Sequence, residues 1–163
     1  MGIYDLLKKL TTKESEIKAI VIAVESGLTH DPKHIEKAIR YYERLGSLKK
    51  ASQLAENLVG IERAIKVYEK ECEFFDAIRL AEKTNDSDLI TRLCKKGIKY
   101  YKPFESHSAG LLYEKMGNPN KAFRYYEISR SFRNVAELAE KVGDVERAFY
   151  FKKMQELKDR EES

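Results

Sequence analysis

A chain of 163 residues is long enough to bury a core and suits one domain or one short solenoid. Apolar residues make up 42% and charged residues 36%, which excludes a disordered chain, and three prolines and eight glycines favour helices over an all-β fold. The formal net charge of +4 is small, but residues 83–133 carry 11 basic and 5 acidic side chains and are the one basic segment.

Residues 1–29 precede the regular part of the sequence and contain two predicted helices. Residues 3–10 have the spacing of a short amphipathic helix. Residues 14–26 include the apolar run 19–24, which predicts a buried helix, with a strand as the alternative because the run is rich in β-branched residues. A helix that is apolar on every side can also dock a partner or a second copy of the chain. Residues 27–31 predict the break that follows.

No feature of the sequence predicts a membrane or secreted protein. The run at 19–24 is too short to span a bilayer, and the first residues lack the sustained apolar region of a secretory signal. Cys72 and Cys94 have no metal-type spacing and fit a reducing compartment. We therefore expect a cytoplasmic protein, and its high charged fraction with only two glutamines favours a heat-adapted source.

A thirteen-residue repeat occupies most of the chain. One residue, called the anchor here, recurs at this interval with a six-residue shift in the second half: Ala38, Ala51, Ala64, Ala77, Ile90, then Ala109, Ala122, Val135 and Ala148. Apolar residues mostly follow three and four positions after the anchor, and glutamate follows five positions after seven of the nine anchors. Because positions i, i+3 and i+4 share a helix face, each repeat predicts a short amphipathic helix that its neighbours must stabilise.

Turn-forming residues fall where each predicted helix should end. They are Gly46-Ser47, Gly60, residues 85–87, Gly117-Asn118-Pro119, Ser131 and Gly143-Asp144. Glycine suits the left-handed residue after a helix, and Ser, Asn or Asp suits the next N-cap. The residues four after the first anchors alternate large and small, which indicates that two units pair into a hairpin. We assign the six extra residues to an inserted turn near residues 103–108.

These hairpins resemble the tetratricopeptide repeat. Its pattern of glycines, alanine and aromatic residues is matched by Gly110, Tyr113, Gly117, Ala122 and Tyr126, with Ser129 where the family prefers a small residue, and more weakly by Tyr42, Gly46, Ala51 and Ala55. The repeating helical style is also similar to the solenoid of clathrin heavy chain. The departures are a period of two thirteen-residue units instead of about 34 residues, and Asn134 near the place of the family's closing proline.

The resemblance implies an all-α, right-handed α-α superhelix, or solenoid, of about ten to eleven short antiparallel helices. We expect one repeat domain over residues 1–163, with N-terminal helices in 1–29, tandem repeats in 31–154 and a charged tail in 155–163. The resemblance further implies a non-enzymatic adaptor or scaffold that binds an unknown protein or peptide and needs no cofactor.

Histidines give no convincing catalytic or metal site. His30 and His34 have the four-residue spacing of helical metal ligands, but Asp31-Pro32 marks a helix start between them, so a solvated helix entrance is the simpler interpretation. His107 lies near two serines without a partner acid. We expect no metal ion and no catalytic residue.

The predicted protein-binding residues are exposed basic and aromatic side chains beside the packing positions. Tyr and Arg are frequent at the energetic centres of interfaces. In the adjacent pairs of tyrosines one ring points inward, and the other points away around the helix. The set consists of Arg40, Tyr41, Lys66, Arg124 and Tyr125.

Two alternatives remain open. Basic residues interleaved with aromatic residues over 95–104 can hold single-stranded nucleic acid; this set consists of Lys95, Lys96, Lys99 and Lys102, with Arg130 and Arg133 further along. A solvated helix face is the simpler interpretation of the same residues. The chain can also be a self-assembling module, with the apolar helix at residues 14–26 as its contact surface.

Overall fold

The computed structural model describes residues 13–162, which form ten α-helices and no strand. The all-helical prediction is thereby confirmed for this part of the chain. The helices are α1 (Lys13–Glu25), α2 (Pro32–Arg44), α3 (Leu48–Leu58), α4 (Ile61–Lys70), α5 (Phe74–Glu82), α6 (Ser87–Tyr101), α7 (Ser106–Lys115), α8 (Pro119–Ile128), α9 (Phe132–Val142) and α10 (Val145–Glu161). The helix predicted at residues 3–10 lies outside the described residues.

The chain divides into two compact units, Met1–Asp86 and Ser87–Ser163. The first contains α1 to α5 and the second α6 to α10, and within each unit every helix packs against its neighbour along the chain. Connections of two to six residues join these helices, and connections this short make neighbouring helices antiparallel. The repeated pairing of short helices confirms the predicted tetratricopeptide-like fold.

The anchor positions form the centre of the packing. Seven of the nine anchors have no solvent-exposed surface, Ala148 is also buried, and Ile90 is half-buried. An alanine at the contact lets two helix backbones approach closely, so the large side chains three and four residues later can fill the space around it.

The predicted turn residues end and begin the helices as expected. Asp31, Asn118 and Asp144 are N-caps whose side chains accept hydrogen bonds from backbone N–H groups of the first helical turn. Gly143 ends α9 in a left-handed conformation with φ of 78°. Arg130, thirteen residues earlier, takes the same conformation with φ of 53° at the end of α8, which a non-glycine residue adopts only at a cost in free energy.

The position of the six extra residues differs from the prediction. Helix α6 continues eleven residues past its anchor, Ile90, whereas most other helices end five to seven residues past theirs. The extra residues therefore lengthen α6 instead of forming a turn, because Lys96 to Tyr101 continue the apolar spacing with buried Gly97, Ile98 and Tyr101. His107 consequently lies in the first turn of α7, and its Nδ1 is 2.8 Å from the Ser131 hydroxyl.

A close contact between α7 and α8 explains part of the tetratricopeptide-like pattern. Tyr126 has no exposed surface, and its hydroxyl donates a 2.6 Å hydrogen bond to Glu114. A methyl group added at Gly110 would lie 2.7 Å from two ring atoms of Tyr126. Glycine is therefore required at position 110 because the tyrosine ring occupies the space of a side chain.

We expect Gly110→Ala to reduce the free energy of unfolding by about 1–3 kcal/mol, since overpacking forces Tyr126 out of its site. Chemical denaturation measures this loss. In a Tyr126→Leu background the added methyl group has room, so the same substitution should cost less. An equal cost in both backgrounds would contradict the assigned contact.

Candidate functional site

Two adjoining open cavities lie on the first unit along α1 and α2. The larger has a volume of about 550 Å³ and the smaller about 460 Å³, and they share Ile17 and Arg44 in their linings. The larger is lined by Glu16, Ile17, Lys37, Arg40, Glu43, Arg44 and Lys70; the smaller is lined by Glu14, Ile17, Tyr41, Arg44 and Leu45. We call the two together the α1–α2 groove. It contains two of the residues predicted to bind a protein, Arg40 and Tyr41.

A network of charges supports the floor of this groove. The Arg63 guanidinium, on α4, makes two hydrogen bonds of 3.1 Å to the Glu36 carboxylate on α2. It also donates to Glu43, whose side chain is only 8% exposed, at 3.3 Å. Arg40 donates to Glu36 at 2.9 Å from the same helix, and Lys70 lies 3.7 Å from Glu43. Bidentate arginine–carboxylate pairs fix geometry, so this network fixes α2 relative to α4 beside the groove.

Hydrogen bonds and burial shift the pKa values of two residues in this unit. Burial alone would raise the pKa of Glu36, but hydrogen bonds from Arg63 and Arg40 hold that pKa below its ordinary value. Deeper in the unit, burial together with the hydrogen bond to Glu25 raises the pKa of Tyr42 to about 12. Glu36 is therefore charged and Tyr42 neutral at physiological pH.

The basic side chains of the groove outnumber the acidic ones. The lining of the two cavities together has four bases and three acids, and Glu43 and Glu14 are already engaged by Arg63 and Lys18. Arg44 is exposed and has no ion-pair partner among the described residues. A third cavity, beside α3 to α5, has three acids and two bases in its lining, and most of them are paired locally, as in Glu56–Lys83 and Asp76–Arg79. Of these cavities, the groove is the one with an excess of basic side chains.

The other predicted protein-binding residues lie elsewhere. Lys66 is exposed on α4 and is not among the described residues that line the groove. Arg124 and Tyr125 are on α8 in the second unit. Arg124 is exposed, and the Tyr125 ring stacks on that of Tyr113, with centroids 5.3 Å apart and planes 19° from parallel. Their roles in binding remain predictions.

Sequence reasoning missed several residues of the groove. Lys37 and Arg44 are three residues before and four after Arg40, so the spacing of one helix face could have identified them. Ile17 and Leu45 could not be found this way. Ile17 belongs to the segment before the repeats, and Leu45 is the exposed residue that caps the end of α2.

The basic segment of the second unit forms an exposed patch at the end of α6. Lys95, Lys96, Lys99 and Lys102 are all exposed. Tyr100 is 43% exposed and Phe104 is 67% exposed, and their ring centroids are 5.6 Å apart in an edge-to-face arrangement. We call these residues the α6 patch; most of them lie on or just beyond the part of α6 that exceeds the length of its neighbours.

The remaining candidates have structural contacts. Arg130 and Arg133 are exposed, and the Arg130 guanidinium lies 5.9 Å from the Phe132 ring. The His34 ring bonds with Thr29 at the entrance of α2, at 3.2 Å. Among the described residues, no group of three or more His, Cys, Asp or Glu side chains is arranged to hold a metal ion.

The apolar run at residues 19–24 is helical, as the first of its two interpretations predicted. Ile20, Val21, Ala23 and Val24 are buried, whereas Ile22 is 64% exposed. Most of the run therefore belongs to the core of the first unit. Within residues 13–162, none of the helices has both the length and the apolar character that a bilayer crossing requires.

Comparison with known proteins gives little further information. No protein-family model matches the chain, and no curated protein sequence matches it. Among solved structures, the chain is similar to the crystal structure of MamA, at 19% identity and a TM-score of 0.48, over 99% of this chain and 97% of that chain. Function must therefore be inferred from the described residues themselves.

We expect Glu36→Gln to lower the free energy of unfolding by about 1 kcal/mol at neutral pH, because the glutamine keeps the contact with Arg63 but loses the charge. The lowered pKa of Glu36 means that its contribution is fully present above the ordinary carboxyl value of 4.5 and is lost as the pH falls through the folded-state pKa. The variant should therefore lose less stability between neutral pH and acid than the parent.

Denaturant titrations across this pH range test the expectation. Glu62→Gln is the control, since Glu62 is exposed on α4 and has no ion-pair partner among the described residues. If the two variants respond equally to acid, the Arg63–Glu36 contact does not contribute.

Proposed function

We propose that this protein is a non-enzymatic scaffold whose α1–α2 groove binds a protein segment that carries carboxylates beside aliphatic side chains. The observation that supports the proposal is the coincidence of an open cavity, an excess of basic side chains and apolar surface in one place. Lys37, Arg40 and Arg44 supply the charge, and Ile17, Tyr41 and Leu45 supply the apolar surface.

The chemistry of the groove favours a peptide over a compact small molecule. The bases extend along α2 over eight residues, from Lys37 to Arg44, which corresponds to about 10 Å of helix. A single small anion cannot contact charges spread over that length, whereas acidic side chains on an extended or helical segment can. The Tyr41 ring brings a large, half-buried contact area with a polar end, as is common at the energetic centres of interfaces.

The groove needs little ordering before it binds. Arg40 already contacts Glu36, Lys37 lies 3.9 Å from Glu16, and Arg63 ties Glu36 to α4. Side chains held in this way lose less conformational entropy when a ligand arrives, so more of the interaction free energy remains for affinity. The ordering contacts are therefore part of the proposed binding mechanism.

Selection from a displayed peptide library would identify the preferred ligand, and the affinities of the selected peptides can then be measured by calorimetry. We expect enrichment of peptides that combine Asp or Glu with Leu, Ile or Val. The double charge reversal Arg40→Glu/Arg44→Glu should weaken their binding about tenfold or more, which corresponds to a loss of about 1.4 kcal/mol.

The matched control is Lys33→Glu/Lys49→Glu, which changes the net charge equally at exposed positions outside the described lining of the groove. It should leave the affinity within a factor of about two. Equal effects of the two double variants would indicate a general electrostatic attraction and would contradict binding in the groove.

A second candidate function is the binding of single-stranded nucleic acid by the α6 patch. The supporting observation is the exposure of Tyr100 and Phe104 beside four exposed lysines. Aromatic faces stack on bases while lysines neutralise phosphates, and neither contact requires a particular sequence. The patch lies at the part of α6 that exceeds the length set by the repeat.

Fluorescence anisotropy with a labelled single-stranded oligonucleotide tests this function. Binding should weaken steeply as salt rises, and Lys95→Glu/Lys99→Glu should both reduce affinity and flatten the salt dependence, because fewer counterions are released. Phe104→Ser should weaken binding about fivefold or more with an unchanged salt slope, through the loss of stacking. The Arg40→Glu/Arg44→Glu variant is the control with intact patch residues; an equal loss of binding in that variant would exclude the patch as the specific site.

A further inference from the structure

Helix α10 carries an unusual concentration of exposed apolar side chains. Val145, Phe149, Tyr150 and Leu157 are each more than half exposed on this helix. Ala148 is its one buried residue. The helix is packed against α9, and the side that carries Phe149 and Leu157 is more than half exposed at both residues.

The repeat shows that this exposure is exceptional. The position directly after the anchor is buried in seven of the nine units, namely at Ile39, Ser52, Ile65, Ile78, Gly110, Phe123 and Ala136. It is half-buried at Thr91. In α10 the same position is occupied by Phe149, which is 62% exposed. The largest side chain that this chain places after an anchor, phenylalanine, is therefore covered in α8 and uncovered in α10.

Phe123, the buried phenylalanine at this position in α8, shows which contact such a side chain makes. The ring of Phe123 in α8 lies under the Arg147 guanidinium of α10, 4.4 Å from its centroid. Among the described residues, the Lys153 ammonium of the same helix is the one cation over the Phe149 ring, at 4.6 Å from its centroid. Another helix of the same character, with apolar surface and basic side chains, thus fits the open face.

Unpaired charges mark the two ends of this face. Glu146 and Arg160 are both exposed, and neither has an ion-pair partner among the described residues. They are fourteen residues apart, which places them within about 40° of each other around the helix and about 21 Å apart along it. Phe149, Lys153 and Leu157 lie between them on one row of i, i+4 neighbours.

We propose that α10 is a self-association surface that pairs antiparallel with α10 of a second copy of this chain. A two-fold axis near Lys153 opposes Glu146 to Arg160 of the second copy and Phe149 to Leu157 of the second copy, and each contact occurs twice. Such an interface is isologous and closes at the dimer. Packing along i, i+4 rows is the commonest arrangement of two helices.

Charge complementarity selects a second copy as the occupant. An acidic N-terminal end and a basic C-terminal end on one apolar face are complementary to themselves when one copy is reversed. Lys153 lies near the axis, where the two copies bring like charges together. The association is therefore expected to be reversible and concentration-dependent.

Sedimentation equilibrium of the full chain, from low micromolar to near-millimolar concentration, tests the proposal. We expect the mass to rise from monomer to dimer, and Phe149→Glu to weaken the association about tenfold or more. The matched controls are Phe104→Glu and Ile22→Glu, which place the same charge at similarly exposed apolar positions in the α6 patch and on α1. Neither control should change the mass, and circular dichroism confirms that all three variants remain folded.

A charge swap tests the antiparallel register. Glu146→Arg and Arg160→Glu should each weaken the dimer several-fold, because each opposes like charges across the interface, and the double variant should restore it. A chain that stays monomeric throughout, or a dimer that Ile22→Glu dissociates while Phe149→Glu does not, would overturn the proposal. Failure of the double variant to restore the dimer would overturn the antiparallel pairing.

Discussion

The close approach of short helices at their anchor residues is the constraint on which the rest of this structure depends. Most of the described helices have nine to thirteen residues, and isolated helices of this length are marginal in water. Most therefore gain their stability by burying an alanine or valine anchor against their neighbours, and the buried set in the second unit extends from Ala122 through Val135 to Ala148. Once the anchors are buried, the thirteen-residue spacing determines which other side chains lie at a neighbouring helix.

The recurrent glutamate five residues after the anchor illustrates this. Glu43 pairs with Lys70, Glu56 with Lys83 and Glu114 with Lys141, and the partners are 27 residues apart in every case. This separation equals two repeat units plus one residue, so each ion pair joins alternate helices. Exposed ion pairs contribute little stability, but Glu43 and Glu114 are partly buried and also accept hydrogen bonds from Arg63 and Tyr126. The glutamate thus sets the spacing of alternate helices at the edge of the core.

The sequence analysis predicted the structural features that recur with the repeat and missed those that occur only once. The junctions, the caps and the tetratricopeptide-like pairing follow from a pattern that appears nine times, so that errors at single positions average out. The six-residue shift occurs once, and Pro103 suggested a turn, yet buried Gly97, Ile98 and Tyr101 continue α6. Of the residues that line the α1–α2 groove, the sequence analysis named only Arg40 and Tyr41, because Ile17 precedes the repeat and the contact from Arg63 joins two helices that are distant in sequence. Contacts of that kind cannot be inferred from spacing within one helix.

The candidate functional surfaces lie where the repeat is interrupted or ends. Residues that maintain the repeat are buried and have no freedom to serve a partner, as the anchors show. The groove uses α1, which lacks the repeat pattern; the α6 patch uses the lengthened end of a helix; and Phe149 occupies a repeat position whose usual covering helix is not among the described residues. Each surface combines basic side chains with an aromatic ring, and the surfaces differ in what surrounds that ring. A cavity lined by both basic and apolar side chains suits a peptide, an open row of lysines suits a phosphate backbone, and a self-complementary face suits a second copy.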